Sequence, residues 1–297
     1  MTEPLISIVV CTYNGELYLT EQLDSVVNQT YPNIEIIILD DCSTDGTVEI
    51  ISKYVNRYPT VKFYRNENNI GYVKNFEKGI TLSQGQFIAL CDQDDIWDFD
   101  KLKLLSTQVK EAALIYHDSE LIGTDGVSLN QKISDRINMY QGHKIYPFLL
   151  YNCVSGHSMM FRTSLIQKIL PIDPSYFHDW QIAIIAAENG GIRYLDMALV
   201  KYRQHHLSNT DFMNLRKKEG YQKTQRKKLV NFRWLKFLST RLNASLFLEE
   251  CVSGLESDFK TRLKLSLTFI KEYKLIFFIK KKPAILKIIK AMRLPFY

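Results

Sequence analysis

The sequence predicts an α/β fold, a mainly parallel sheet flanked by helices, with a basic helical appendage at its C-terminal end. Three observations predict it. Apolar strand-like runs alternate with helical patterns at a spacing of roughly 30 residues, the signature of βαβ units. The loops after these runs are polar and several are acidic. Charge divides along the chain: residues 1–210 carry 17 Lys+Arg against 25 Asp+Glu, whereas residues 211–297 carry 21 against 7. The expected organisation is therefore an acidic α/β domain over 1–210 and a basic amphipathic helical region over 211–297.

"LISIVVC" (5–11) is apolar and β-branched, as a strand covered on both faces must be. "TYNGE" turns the chain, and Leu19, Leu23 and Val26 then recur at helical spacing until "YPN" breaks the helix. "IEIIILDD" is a second buried strand ending on Asp40 and Asp41, and "CSTDGT" opens a helix over "VEIISKYVNRY". "VKFYRN" is a third strand, "NIGYVKNFEKGITLSQG" a loop and helix, and "QFIALCD" a fourth strand. Residues 98–150 are less regular, with a helix near 100–111 and a strand in "ALIYHDSEL". "NCVSGHSMMFRTSLIQKIL" reads as loop, short strand and helix; "YFHDWQIAIIAAENGGIRYL" as loop, apolar helix and Gly-Gly stop. "LVKYRQHHLSNT" closes the acidic body. Beyond 211 the sequence is helical, basic and aromatic; Ile285, Ile289 and Met292 share one helix face, with Lys287, Lys290 and Arg293 on another.

Hydrophobic content of 46% is enough for a sizeable core. The five cysteines are odd in number and lack CxxC spacing, which argues against a disulfide framework and a zinc site and for a reducing compartment. No secretory signal and no run of about 18 apolar residues is visible, so a cytoplasmic protein is expected. The basic tail suggests an anionic partner, membrane lipid or nucleic acid. Acidic loops would repel a phosphate backbone, which disfavours nucleic acid. A membrane surface then fits the tail, placing the protein peripherally on the inner face of the cell membrane. The alternative is that these helices pack on the body and expose a solvated lysine face.

In parallel sheets ligands bind beyond the carboxyl ends of the strands. The loops there are "CTYNGE", "LDDCSTD", "RNENNIG" and "CDQDDIW". Asp92, Asp94 and Asp95 repel one another, and burying them costs several kcal/mol unless a cation sits among them. Mg²⁺ is typically held by one or two carboxylates plus substrate phosphates. Asp95 or Asp98 can instead cap the next helix, which accounts for one aspartate and not three. Asp41 can accept from a pyrimidine imide or a ribose hydroxyl, or it and Asp40 can be turn residues; Asp45 is the better cap candidate. Asp179, in "FHDW", is a helix cap on the simpler reading and a general base if it faces an acceptor hydroxyl. His205 and His206 are metal or phosphate contacts, or structural.

"ISIVVCTYNGELYLTEQLDSVVNQTYPNIEIIILDDCSTDGT" resembles the start of family 2 glycosyltransferases, which adopt the GT-A fold. "ALCDQDDIW" sits where that family has its metal-binding D-x-D, and "NIGYVKNFEKGI" resembles its N-x-G donor-loop segment. The resemblance covers about residues 5–210. It implies that Thr12, Tyr13 and Asn14 line the nucleotide pocket, Asp41 binds the base, and Asp92 approaches ribose and metal. It implies Asp94 as ligand to Mg²⁺ or Mn²⁺, His205 of "YRQH" as a metal or diphosphate contact, and Asp179 as the base. Asp40, Asn75, Asp95 and His178 are supporting members. Cys11 departs from the proline common in the first loop. "CDQDDIW" and "YRQH" resemble the bacterial rhamnosyltransferase branch, implying dTDP-L-rhamnose as donor, with UDP-hexose or UDP-N-acetylhexosamine as alternatives. The implied reaction is inverting, onto a lipid-linked surface polysaccharide. A nucleotidyltransferase would carry a Gly-rich phosphate loop near its N-terminus, which "CTYNGE" is not. A non-catalytic sugar-binding relative is disfavoured because the candidate base and metal aspartates are present.

Overall fold

β1 (Ile6–Thr12) is buried at all seven positions because the sheet has cover on both faces. The computed structural model describes residues 3–205, 233–243, 245–256 and 258–296. β1 pairs in parallel with β2 (Ile34–Asp40), from Ile6 opposite Ile34 to Thr12 opposite Asp40. α1 (Leu19–Val27) connects them and buries Leu19, Leu23 and Val26. α2 (Thr47–Arg57) leads to β3 (Val61–Arg65), and α3 (Tyr72–Leu82) to β4 (Phe87–Cys91). The first half thus follows the predicted alternation.

The described residues form one nine-stranded sheet ordered β3-β2-β1-β4-β8-β6-β9-β5, with β7 on β6. β2 and β4 flank β1, so successive crossovers diverge to its two sides and open a crevice at the strand ends. Beyond β4 the sheet is mixed. β5 (Ile96–Trp97) pairs antiparallel with the far end of β9 (Ile192–Arg203). α4 (Lys101–Gln108) precedes β6 (Leu114–Ile122), which forms a hairpin with β7 (Ser128–Lys132). After α5 (Ile133–Arg136), β8 (Met159–Arg162) inserts antiparallel between β4 and β6. α6 (Ile166–Ile169) and α7 (His178–Glu188) follow, and β9 runs parallel to β6.

The irregular stretch 98–150 therefore holds a hairpin, turned at Asp125-Gly126, beyond the one strand expected there. β9, for which no strand is expected from sequence, is one 12-residue strand whose register shifts opposite Asp118. α4 is led by Asp100, and Asp98 accepts from the Asp100 N–H at 2.8 Å. Asp95 does not cap that helix.

The C-terminal helices are α8 (233–239), α9 (Ser245–Glu256), α10 (Phe259–Lys271), α11 (Tyr273–Ile276) and α12 (Ala284–Arg293). They share a continuous apolar core with the body. Trp234 packs on Tyr176 and Trp180 with ring centroids 4.7 and 5.0 Å apart, and Asn138 donates through Nδ2 to Phe278 O at 2.7 Å. No described helix is long and apolar enough to cross a membrane. His206 and the basic stretch 211–232 lie outside the described residues.

Candidate active site

A cavity of about 860 Å³ opens beyond the carboxyl ends of β1, β2 and β4. Its floor is stitched by the polar loops. Tyr13 N–H donates to Gln93 Oε1 at 2.8 Å, and Gln93 Nε2 donates back to Tyr13 O at 3.0 Å. A Cβ on Gly15 would lie 2.4 Å from Gln93 Oε1, so glycine there lets the two loops meet. Asn14, at φ 48°, accepts the Thr44 N–H through Oδ1 at 2.9 Å. Asp45 accepts from Thr47 N–H at 3.1 Å, as a cap-like residue at the start of α2.

Thr12, Tyr13, Asn14 and Asp41 line the cavity, as does Asn75; Asp40 does not. Asp40 is fully buried beneath it, accepting from Thr12 Oγ1 at 3.0 Å and from Ser43 N–H at 2.9 Å. Its work is to hold the loop. Asp41 accepts from Asn66 Nδ2 (2.8 Å), Ile70 N–H (2.9 Å) and Gly71 N–H (2.8 Å). A carboxylate offers about four acceptor positions, so one remains for a ligand in the cavity. Asn75 donates to Leu39 O and accepts from Asn66, locking the same corner.

The three carboxylates of the fourth loop separate by environment. Asp92 and Asp94 face the cavity; Asp95 is buried behind it. Burial, then the charges of Asp94 and Asp92, push Asp95 well above the usual carboxylate range. Burial would also raise Asp92, but the imidazole of His157, 3.8 Å away, outweighs it and keeps Asp92 low. Asp94 Oδ2 lies 2.7 Å from His205 Nε2, although 111 residues separate them. A carboxylate oxygen and an imidazole nitrogen converging on a cavity form a donor set suited to a divalent cation. Asp92, Asp95 and His157 also offer ligand atoms within 4.8 Å of one another. That second group lies deeper, with Asp95 and His157 both buried.

Asp179 lies in the first turn of α7, with Phe177 at the N-cap. It does not cap that helix, whose start has no side-chain cap. Asn152 Nδ2 donates to its Oδ1 at 3.1 Å. Burial, followed by the charge of Asp92, raises its pKa to about 7, the value a general base needs near neutrality. His178 stacks on Phe76 at 4.3 Å, and burial lowers its pKa to about 4, so it is a neutral wall. A Cβ on Gly156 would stand 2.9 Å from His178 Nε2.

Three residues of the site escape sequence reading. Asn152 holds the Asp179 carboxylate, and its own Oδ1 accepts Val154 N–H at 3.0 Å. Arg203, buried, donates through Nε to Asp94 O (2.9 Å) and through its N–H to Asp95 Oδ1 (3.0 Å), while Glu21 takes Nη2 at 2.5 Å. It clamps the acidic loop to the end of β9. His157 is braced by Ser119 Oγ at 2.9 Å and by the Tyr202 ring at 4.3 Å. The polar, glycine-containing "NCVSGHS" before a buried strand was the available signal for two of the three. Asn152→Ala removes a donor that favours the ionised base. The midpoint of the pH–rate profile should move upward and kcat fall about tenfold, with donor KM unchanged; a profile that does not move excludes this positioning role.

A mixed, mostly parallel sheet with helices on both faces and an acidic nucleotide-type cavity at its strand ends is the GT-A architecture. The family follows from comparison: residues 7–170 match the glycosyl transferase family 2 model, and the chain belongs to that family. An uncharacterized glycosyltransferase of Haemophilus influenzae is 25% identical over 247 residues, 77% of this chain and 74% of that one. An uncharacterized protein of Mycobacterium tuberculosis is 32% identical over 213 residues, and this chain spans 59% of its length. TuaG of Bacillus subtilis, a glycosyltransferase named for teichuronic acid biosynthesis, is 33% identical over 133 residues, 44% of this chain and 53% of that one. The crystal structure of S. aureus TarS 1–349 with UDP-GlcNAc superposes at TM-score 0.56 and 19% identity, over 97% of this chain and 89% of that one. That likeness carries the fold.

Proposed function

We propose that this family 2 enzyme transfers one sugar, with inversion, from a nucleotide-sugar donor to a hydroxyl of a growing, lipid-linked bacterial surface polysaccharide at the inner face of the cell membrane. The observation that carries the reading is the meeting in one cavity of the Asp179 carboxylate, held by Asn152, with Asp92, Asp94 and His205. Thr12, Tyr13, Asn14 and Asp41 receive the nucleotide. Asp179 takes the acceptor hydroxyl's proton; the oxygen attacks the anomeric carbon, and the carbon–oxygen bond to the diphosphate breaks on the opposite face. The electron pair leaves with the nucleoside diphosphate. Asp94 and His205 would hold Mg²⁺ or Mn²⁺, which would supply positive charge to the departing diphosphate. The polysaccharide class is supported by the likeness to TuaG. For the donor, the "CDQDDIW" and "YRQH" wording favours dTDP-L-rhamnose, and UDP-hexoses and UDP-N-acetylhexosamines are the second arm.

The test is a panel of nucleotide sugars with Mn²⁺, Mg²⁺ or EDTA, with bacterial lipid-linked glycan present. Nucleoside diphosphate and pyrophosphate are both scored. Metal-dependent release of nucleoside diphosphate from one donor is the expected result. Pyrophosphate release would indicate nucleotidyl transfer, and absence of both release and nucleotide binding would defeat the reading.

A further inference from the structure

The apolar stripe of α12 points away from the protein. Ile285 is 62% exposed, and Leu286, Ile289 and Met292 are exposed with it; Ala291 faces inward. On α10, Phe259 (72% exposed), Leu263 and Leu267 (62%) stand four residues apart, which is one helix face, while Leu265 and Phe269 fill the core. The two stripes adjoin. Ser266 Oγ donates to Met292 O at 2.9 Å, and the ring of Phe259 meets that of the exposed Phe296 at 5.3 Å. A contiguous exposed apolar ridge of this kind marks an interaction surface.

Charge selects the partner. Residues 258–296 carry 11 Lys+Arg against 2 Asp+Glu, and Lys260, Lys264, Lys282 and Arg293 are exposed along the ridge. A second copy of the chain would set this positive surface against itself. Nucleic acid would engage the lysines and leave the apolar side chains in water. An anionic bilayer takes both, the apolar side chains at the acyl boundary and the lysines at lipid phosphates.

We propose that the α10–α12 ridge docks flat on an anionic bilayer, inserting Phe259, Leu263, Leu267, Ile285, Ile289 and Met292. This deepens the functional reading above, on which it rests for a lipid-linked acceptor at that surface. The C-terminal region also reaches Tyr151, from Lys290 on α12 and from Lys280 ahead of it. Lys290 Nζ donates to Tyr151 Oη, Lys280 Nζ lies 4.9 Å from the Tyr151 ring centroid, and Tyr151 precedes Asn152, which holds the Asp179 carboxylate. Docking would therefore set the loop beside Asp179 close to the lipid headgroups.

The experiment uses the full chain with phosphatidylglycerol or phosphatidylcholine vesicles, scored by co-sedimentation. Wild type should bind the phosphatidylglycerol vesicles, bind phosphatidylcholine at least about tenfold more weakly, and be released by about 0.5 M NaCl. Leu263→Glu/Leu267→Glu and Ile285→Glu/Ile289→Glu should each weaken binding at least about tenfold, with unchanged thermal unfolding and unchanged nucleotide-sugar turnover in solution. Wild type that ignores anionic vesicles, or ridge variants that bind as it does, would overturn the proposal. So would a wild-type dimer in light scattering that the ridge variants dissociate, which would make a second copy the occupant. Vesicle binding by a protein inactive on every nucleotide sugar would support the ridge and count against the glycosyltransferase reading alone.

Discussion

Asp179→Asn is expected to bind nucleotide sugar as wild type does and to lose turnover by about 10²–10⁴-fold, the usual contribution of a positioned general base. The amide keeps the shape and the hydrogen bond from neighbouring donors but cannot take a proton. In wild type, kcat/KM should rise with pH through a midpoint near 7 and level off above it, because Asp179 must be ionised and burial has raised its pKa to about 7. In the variant that limb should vanish. Stability supplies an independent readout. A carboxyl raised in the folded protein favours folding while protonated, so the cost of ionising it is absent below the unfolded value near 3.8 and complete above about 7. Asp179→Asn should therefore raise Tm at pH 8 by about 2 °C or more, with no gain at pH 3.5. Near-normal turnover in the variant would remove Asp179 from the mechanism.

Asp94→Asn should lower metal-dependent turnover by about 10²–10³-fold, the scale of losing stabilisation of a developing anion. It should also abolish Mn²⁺ binding measured by calorimetry in the presence of a nucleoside diphosphate. His205→Ala should act in the same direction with a smaller loss, since the diphosphate and Asp94 remain as ligands. The calorimetric result separates a missing cation from a disturbed loop, because nucleotide binding without metal is read in the same titration. If Asp94→Asn keeps full Mn²⁺ affinity, the cation belongs elsewhere, and the group of Asp92, Asp95 and His157 becomes the candidate.

How far the site could be read from sequence depended on whether its members are local. Thr12, Asp41, Asp92 and Asp94 each end or follow an apolar run, and strand ends converge in any parallel sheet. Their meeting in one cavity was therefore legible. Asp40 and Asp95 share that position in sequence, yet side chains alternate between faces along a strand end, and these two point into the protein. The alternation that separates Asp40 from Asp41 was visible in principle; the burial of Asp95 was not.

Asn152 and Asp179 are 27 residues apart, Arg203 and Asp95 are 108 apart, and Asp94 and His205 are 111 apart. Nothing local announces such pairs, because they exist only after β8 has inserted between β4 and β6 and β9 has aligned with β6. The sequence by itself determined the α/β alternation, the buried strands, the polar loops at their ends and the amphipathic basic tail. Those properties rest on apolar periodicity and turn chemistry within a few residues. Tertiary structure alone decided which aspartates face the cavity, what raises Asp179, and that the apolar stripe of α12 turns outward. Each of these depends on what packs against a residue, and packing is set by distant segments brought together against chain entropy.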